Sequence, residues 1–102
     1  MNVRTQTDEL ISRLNNLFRL IRESGNNSDR VQYLKKLQAM IERNKKRIAV
    51  RFSDGRLEYL KDIVVSLERN ENQGPFLQLW FSGGYRGRVI SSKTKCHFLE
   101  VR

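Results

Sequence analysis

Residues 43–55 read Arg-Asn-Lys-Lys-Arg-Ile-Ala-Val-Arg-Phe-Ser-Asp-Gly, and the spacing of the apolar residues changes within this stretch. Before it, apolar residues recur every three or four positions, which is the period of an α-helix. Within it, Ile48, Val50 and Phe52 stand at alternate positions, as in a β-strand, and the Asp-Gly pair at 54–55 favours a tight turn. The stretch therefore predicts a helical first part and a β-rich second part.

The helical part is predicted to form an antiparallel hairpin. The first helix, at about residues 7–24, has its apolar stripe at Ile11, Leu14, Phe18 and Ile21. Thr5 or Thr7 is its candidate N-cap, and Gly25 stands where a left-handed residue commonly ends a helix. A second helix repeats the period at Val31, Leu34, Leu37 and Ile41 and runs to about residue 45. The short connection at 26–28 places the two helices side by side.

Five short antiparallel strands are predicted in the second part. They are residues 48–53, a return strand within 57–67, and residues 76–81, 85–91 and 96–101. The apolar residues within 57–67 also fit a helical period, so a helix is the alternative for that segment. The predicted fold class is α+β, with one domain at residues 1–102. In it a helical hairpin of about residues 7–46 packs on a five-stranded antiparallel sheet or barrel of about residues 47–102.

The first predicted β-hairpin resembles a known architecture. Residues 48–56, Ile-Ala-Val-Arg-Phe-Ser-Asp-Gly-Arg, are similar to the opening hairpin of small SH3-like and Sm-like barrels. The resemblance implies a strongly bent sheet of short strands. It covers this short stretch alone and implies no particular function, because such folds serve many functions.

The composition limits the class of protein. Lys and Arg total 20 against 11 Asp and Glu, a net charge of +9, which favours an anionic partner such as nucleic acid. Cys96 is the sole cysteine, so an intramolecular disulfide and a thiolate-rich zinc site are excluded and a reducing compartment is expected. The expected location is the cytoplasm, or the nucleus in a eukaryote. No apolar run approaches the ~18 residues of a membrane span.

Two groups of residues are candidates for binding. Residues 43–47 carry four positive charges without an acid, which exceeds what capping of a helix C-terminus requires. Residues 80–88 interleave aromatic, glycine and arginine residues, a mixture that grips single strands through stacking and phosphate contacts. The candidate nucleic-acid-binding residues are Arg43, Lys45, Lys46, Arg47, Arg51, Trp80, Tyr85, Arg86, Arg88, Lys93 and Lys95. The alternatives are a solvated basic face and a Trp80 that packs under the helical hairpin.

The sequence gives no support to catalysis. Cys96 and His97 are neighbours in a predicted strand and point to opposite faces, so they form neither a nucleophile pair nor a shared metal site. The glycine-rich segment at 83–87 precedes no helix and lacks the Lys-Ser/Thr of a phosphate-binding loop. We expect no enzymatic activity, no cofactor and no metal.

These patterns predict a small basic, non-catalytic module that binds nucleic acid, with RNA or single-stranded DNA favoured because no recognition-helix motif is visible. The alternative is a protein-interaction adaptor or inhibitor that docks an acidic protein surface. Leu10, Leu17, Leu20 and Leu37 widen the apolar face of the helical hairpin, so a homodimer interface is an alternative to packing of this face against the sheet. No membrane partner is expected.

Overall fold

The computed structural model of the protein describes residues 3–72, 74–81 and 84–101, with the side chains of residues 3–8, 85 and 86 outside the description. The chain begins with helices α1 at Val3–Glu23 and α2 at Asn27–Asn44, and a short 3-10 helix at Lys45–Arg47 follows α2. The strands are β1 Ile48–Phe52, β2 Leu57–Tyr59, β3 Val64–Asn70, β4 Gly74–Phe81, β5 Tyr85–Ile90 and β6 Cys96–Glu100. Among the described residues, no helix is both long and apolar enough to cross a membrane.

The strands form two antiparallel sheets of three strands each. Sheet 1 has the order β2-β1-β6, and sheet 2 has the order β3-β4-β5. The predicted α+β class and the helical hairpin are therefore confirmed. The predicted single five-stranded sheet or barrel is not confirmed, because the six strands found among the described residues are divided between two sheets.

The predicted return strand within 57–67 is interrupted, which is why the strand count differs. The chain leaves β2 at Tyr59, turns at residues 61–62 and re-enters a sheet at Val64. Leu60 and Ile63 flank this turn, are both buried in the core, and are joined by a hydrogen bond from Ile63 N to Leu60 O of 3.4 Å. Both a turn and a helix can bury two residues that are three positions apart. The apolar spacing of this segment, which also suggested a helix, is therefore explained by the turn.

Two predicted boundaries are also wrong. α1 includes Thr5 and Thr7, so neither residue caps it. Residues 70–75 fall outside the strands predicted above, yet Asn70 and Gly74 pair between β3 and β4, so β3 ends later and β4 begins earlier than predicted. Gly74 has a φ of 75°, a left-handed conformation that glycine adopts without strain.

One hydrophobic core joins the helices to both sheets. α2 packs against β3 and β4, and α1 packs against β6. The buried cluster draws on every layer and includes Leu14, Phe18, Ile21, Leu34, Leu37, Ile41, Ile48, Val50, Phe52, Leu79, Ile90 and Phe98. Leu10 and Leu17, which widen the apolar face of α1, pack against this cluster.

Polar side chains from both helices bind the open edges of the sheets. On α2, Gln38 Nε2 donates to Val65 O at 2.9 Å, and Glu42 Oε1 accepts from Val65 N at 3.2 Å. On α1, Asn15 Oδ1 accepts from Phe98 N at 2.8 Å, and Asn15 Nδ2 donates to Phe98 O at 3.4 Å. Val65 and Phe98 lie on edge strands, so these bonds satisfy backbone groups that no strand pairs.

We predict that Asn15→Ala lowers the free energy of unfolding by about 1–3 kcal/mol, because it leaves the partly buried amide and carbonyl of Phe98 without partners. Urea denaturation measures the change. The matched control is Asn16→Ala on the exposed face of α1, for which we expect a loss below about 0.5 kcal/mol. Equal losses in the two variants would show that the edge contact contributes nothing to stability.

Candidate functional site

One cation of the basic junction at 43–47 makes contacts within the protein. Lys45 Nζ donates to Ile63 O at 3.1 Å and lies 3.7 Å from Glu42 Oε2, so this ammonium group joins the end of α2 to the start of β3. Arg43, Lys46 and Arg47 are exposed. The junction therefore presents three of its four cations to solvent and holds the fourth against the protein.

A second group of cations surrounds two adjoining grooves at the far end of β1. One groove has a volume of about 500 Å³ and the other about 400 Å³, and they share Phe52, Ser53 and Lys95. The basic side chains that line them are Arg22, Arg51, Arg88, Lys93 and Lys95. We call the two grooves together the cationic groove. The five residues of β1 lie between the cationic groove and the basic junction, a distance of roughly 15 Å.

A β-bulge on β5 shapes one wall of the cationic groove. The pairing between β4 and β5 shifts between Leu79 and Trp80, and Gly87 is the extra residue on β5. A Cβ atom at Gly87 would overlap the ring of Phe81, so no other residue fits without a shift of that ring. Such bulges commonly redirect side chains, and here the bulge immediately precedes Arg88.

Arg88 links the two sheets. Its guanidinium lies 4.5 Å from the centre of the Phe52 ring, and its Nη2 atom donates to Asp54 Oδ2 at 2.8 Å. Asp54 belongs to the turn between β1 and β2, so the contact joins sheet 2 to the first hairpin of sheet 1. Among the described residues that line the cationic groove, Asp54 is the only carboxylate. Its charge is already paired with Arg88.

The pKa of Asp54 is lowered from its ordinary value of 3.8. The largest cause is the hydrogen bond that the carboxylate accepts from Arg56 N, at 2.9 Å, and the next is the bond from Arg88. Both donors favour the ionised form. Asp54 therefore carries its charge at neutral pH.

The loop between β5 and β6 presents two lysines to the cationic groove. Ser91 N donates to Thr94 Oγ1 at 2.9 Å, Thr94 N donates to Ser91 O at 3.1 Å, and Lys93 N donates to Ser91 Oγ at 3.2 Å. Ser53 N donates to Lys95 O at 3.1 Å, which fixes the loop to the end of β1. The backbone is held by these bonds, and the side chains of Lys93 and Lys95 are exposed.

Arg51 and Arg22 complete the basic lining. Arg51 is exposed and its Nη1 atom donates to Gly55 O at 3.2 Å. Arg22 lies in the last turn of α1, with its guanidinium 5.8 Å from the centre of the Phe18 ring. Arg22 is absent from the candidates predicted from the sequence, because its only local signal is that of an exposed arginine beside the apolar stripe. Its place beside β1 and β6 follows from how α1 packs.

Trp80 lies on the outer face of sheet 2, away from α2. Val65 and Leu79 form the buried face, and the alternation of side chains along β4 directs Trp80 to the opposite face. Trp80 Nε1 donates to Ser66 Oγ at 2.7 Å. The indole is half-buried and belongs neither to the core cluster nor to the residues packed on it. The alternative that Trp80 packs under the helical hairpin is therefore wrong.

Part of the glycine-rich segment lies outside the description. The side chains of Tyr85 and Arg86 are not described, and neither is Gly83 at the start of the glycine-rich segment. The backbone of β5 places Arg86 opposite Trp80. The roles of Tyr85 and Arg86 therefore stay predictions from the sequence.

Cys96 and His97 lie on opposite faces of β6, as predicted. Cys96 packs against the core, and burial raises the pKa of its thiol to about 12 despite the nearby charge of Arg22. The thiol is therefore protonated at neutral pH. His97 is exposed. Within the described part of the chain, no three His, Cys, Asp or Glu residues are grouped so that they could hold a metal ion.

A third depression, of about 560 Å³, lies between the start of α2 and the β3-β4 hairpin. Its charged lining residues are Lys35, Arg69 and Glu71, and the rest of the lining is mostly polar or small. The acid offsets part of the positive charge, and no aromatic side chain lines it. The cationic groove is the better candidate for a polyanion, because its cations outnumber its acids by more.

We predict that Asp54→Asn lowers the melting temperature at pH 7 and that the difference from the unsubstituted protein disappears at low pH. The folded-state pKa lies below 3.8, so the carboxylate stabilises the fold above that pH and loses this effect as the pH falls below it. Thermal melts at several pH values provide the measurement. Asp62→Asn, at an exposed carboxylate in the turn between β2 and β3, is the control. A difference that is constant across pH would contradict the role assigned to the Asp54 charge.

Comparisons of the chain with protein-family models, with curated proteins and with solved structures found no match. The interpretation of the site therefore rests on its own geometry and charge.

Proposed function

We propose that the protein is a small, non-catalytic module that binds single-stranded nucleic acid, RNA or DNA, through the cationic groove. The observation that carries the proposal is the set of five basic side chains around two adjoining grooves whose only described carboxylate is paired with Arg88. A net charge of +9 supports the same partner, because a polyanion relieves the self-repulsion of such a chain.

The two lysines of the β5-β6 loop are the best placed for phosphate. Within the described residues, the ammonium groups of Lys93 and Lys95 form no ion pair. A phosphate that binds them displaces only water and counterions, which gives a favourable and salt-dependent contribution. Arg88 is less available, because a phosphate would have to compete with Asp54 for its guanidinium. Lys93 and Lys95 are therefore assigned the principal phosphate contacts, with Arg22 and Arg51 beside them.

Trp80 supplies a stacking surface near the groove. Gln78 lines the groove, and Trp80 follows it by two residues on β4, so the two side chains share a face about 7 Å apart. The indole N-H is satisfied by Ser66, and a base can therefore contact the ring without leaving a buried donor unpaired. Stacking on an aromatic ring accepts any base, which suits a single strand with little sequence preference.

The junction is assigned a secondary role. Arg43, Lys46 and Arg47 precede the first residue of β1, whereas the cationic groove lies at its last residue. A single-stranded oligonucleotide of about 12 nucleotides is long enough to contact both the junction and the groove. An adaptor that docks an acidic protein surface would use the same cations, and the test below separates it from the proposed function. A protein partner would leave oligonucleotide binding weak in every variant.

We predict that Lys93→Glu with Lys95→Glu weakens binding to a labelled single strand of about 12 nucleotides by tenfold or more. The slope of log affinity against log salt should fall by about 1.4, which is two contacts at ~0.7 each for a single strand. Fluorescence anisotropy measures both quantities. Quenching of Trp80, the sole tryptophan, gives an independent readout of the same binding.

The matched control is Lys35→Glu with Lys36→Glu, which makes the same change of charge on the exposed face of α2. We expect this control to weaken binding by less than about threefold, through long-range charge alone. Equal losses in the two double variants would show that binding depends on net charge and not on the groove. Absence of oligonucleotide binding by the unsubstituted protein would overturn the proposed function in favour of the adaptor.

A further inference from the structure

The outer face of sheet 1 carries an exposed aromatic side chain outside the residues assigned so far. Tyr59 on β2 is 61% exposed, the highest value among the large apolar residues described. It pairs with Ala49 on β1, which in turn pairs with Leu99 on β6, so the three share one row across the sheet. This row lines a shallow depression of about 150 Å³ beside Tyr59, together with Leu57, Glu100 and Val101.

The next row of the same face is basic and leads into the cationic groove. Leu57, Arg51 and His97 are paired across the three strands, and Arg51 and His97 are exposed and line the cationic groove. Arg51 lies diagonally across from Tyr59, at about 7–8 Å between backbone positions. Neither row contains an acid, and the one carboxylate among the described residues that line the depression is Glu100, three positions along β6 from His97. The exposed ring is therefore adjacent to groups that would bind a phosphate.

The size and charge of this face argue against a second copy of the chain as its occupant. Strands of three to five residues span at most about 17 Å, and three strands about 15 Å, so the face offers roughly 250 Å². A stable dimer buries about 800 Å² on each partner. A two-fold contact would also bring the Arg51 side chains of both copies onto one small surface, where like charges repel. One or two bases fit the face better.

We infer that Tyr59 is a second base-stacking position for the strand that the cationic groove binds, and this inference rests on the proposed function. A base stacks on the Tyr59 ring, the adjoining phosphate contacts Arg51 and His97, and the strand continues through the groove toward Trp80. The two aromatic residues lie on the outer faces of different sheets, with the basic groove between them. The protein therefore holds a segment of several nucleotides, with a stacked base at each end.

The test compares Tyr59→Ala with Tyr59→Phe on two oligonucleotides of equal length, about 12 nucleotides, one normal and one abasic. Tyr59→Ala should weaken binding of the normal strand by about 5- to 100-fold and leave the salt slope unchanged, since stacking releases no counterions. Tyr59→Phe should bind as the unsubstituted protein does, because it keeps the ring. On the abasic strand, which has the phosphates without bases, Tyr59→Ala should cause no loss.

Three results would overturn the inference. If Tyr59→Ala binds the normal strand as tightly as the unsubstituted protein while Lys93→Glu with Lys95→Glu does not, the groove functions and Tyr59 has no part in it. If the loss is the same on the abasic strand, Tyr59 acts on the backbone and not on a base. If sedimentation shows a dimer that Tyr59→Ala dissociates, the face is a self-interface. Failure of every variant and of the unsubstituted protein to bind either strand would instead reject the proposed function itself.

Discussion

The hydrogen bonds from helix side chains to the sheet edges are the constraint on which the arrangement depends. Two sheets of three strands leave edge backbone groups that need partners, and water cannot reach them where a helix packs. Gln38 and Glu42 of α2 satisfy Val65, and Asn15 of α1 satisfies Phe98. Each helix is thereby held over one sheet edge while its apolar stripe fills the core. This leaves the outer faces of both sheets and the far end of β1 uncovered.

The basic side chains of the cationic groove lie together at the uncovered end of β1. Arg22 arrives from α1, Arg51 from β1, Lys95 from the β5-β6 loop and Arg88 from the bulged strand. These residues come from four separate elements, and each backbone is fixed by the core or by local hydrogen bonds. Asp54 neutralises one of them and ties the sheets together, which leaves an excess of positive charge facing solvent. The same packing that closes the core thus concentrates cations at one surface.

The sequence predicted features that depend on local spacing. The helical hairpin, the first β-hairpin, the buried positions such as Phe18 and Val50, and the opposite faces of Cys96 and His97 follow from period and turn residues alone. The break at Leu60–Ile63 was missed because two buried residues three apart also suit a helix. Arg22 and the bond from Lys45 to Ile63 depend on contacts between distant elements. Such contacts cannot be predicted from the residues that are nearby in the sequence.

Mapping of backbone amide chemical shifts during titration with a single-stranded oligonucleotide locates the binding surface, because each residue with a backbone N–H gives its own signal. If the cationic groove binds the oligonucleotide, the largest changes will occur at residues 51–54 and 93–97, with smaller changes at the strands that carry Tyr59 and Trp80. We expect little change at residues 27–35 and 69–75, around the depression beside the β3-β4 hairpin. Changes centred on residues 43–47 with none at the groove, or no changes at all, would show that the cationic groove is not the nucleic-acid-binding surface.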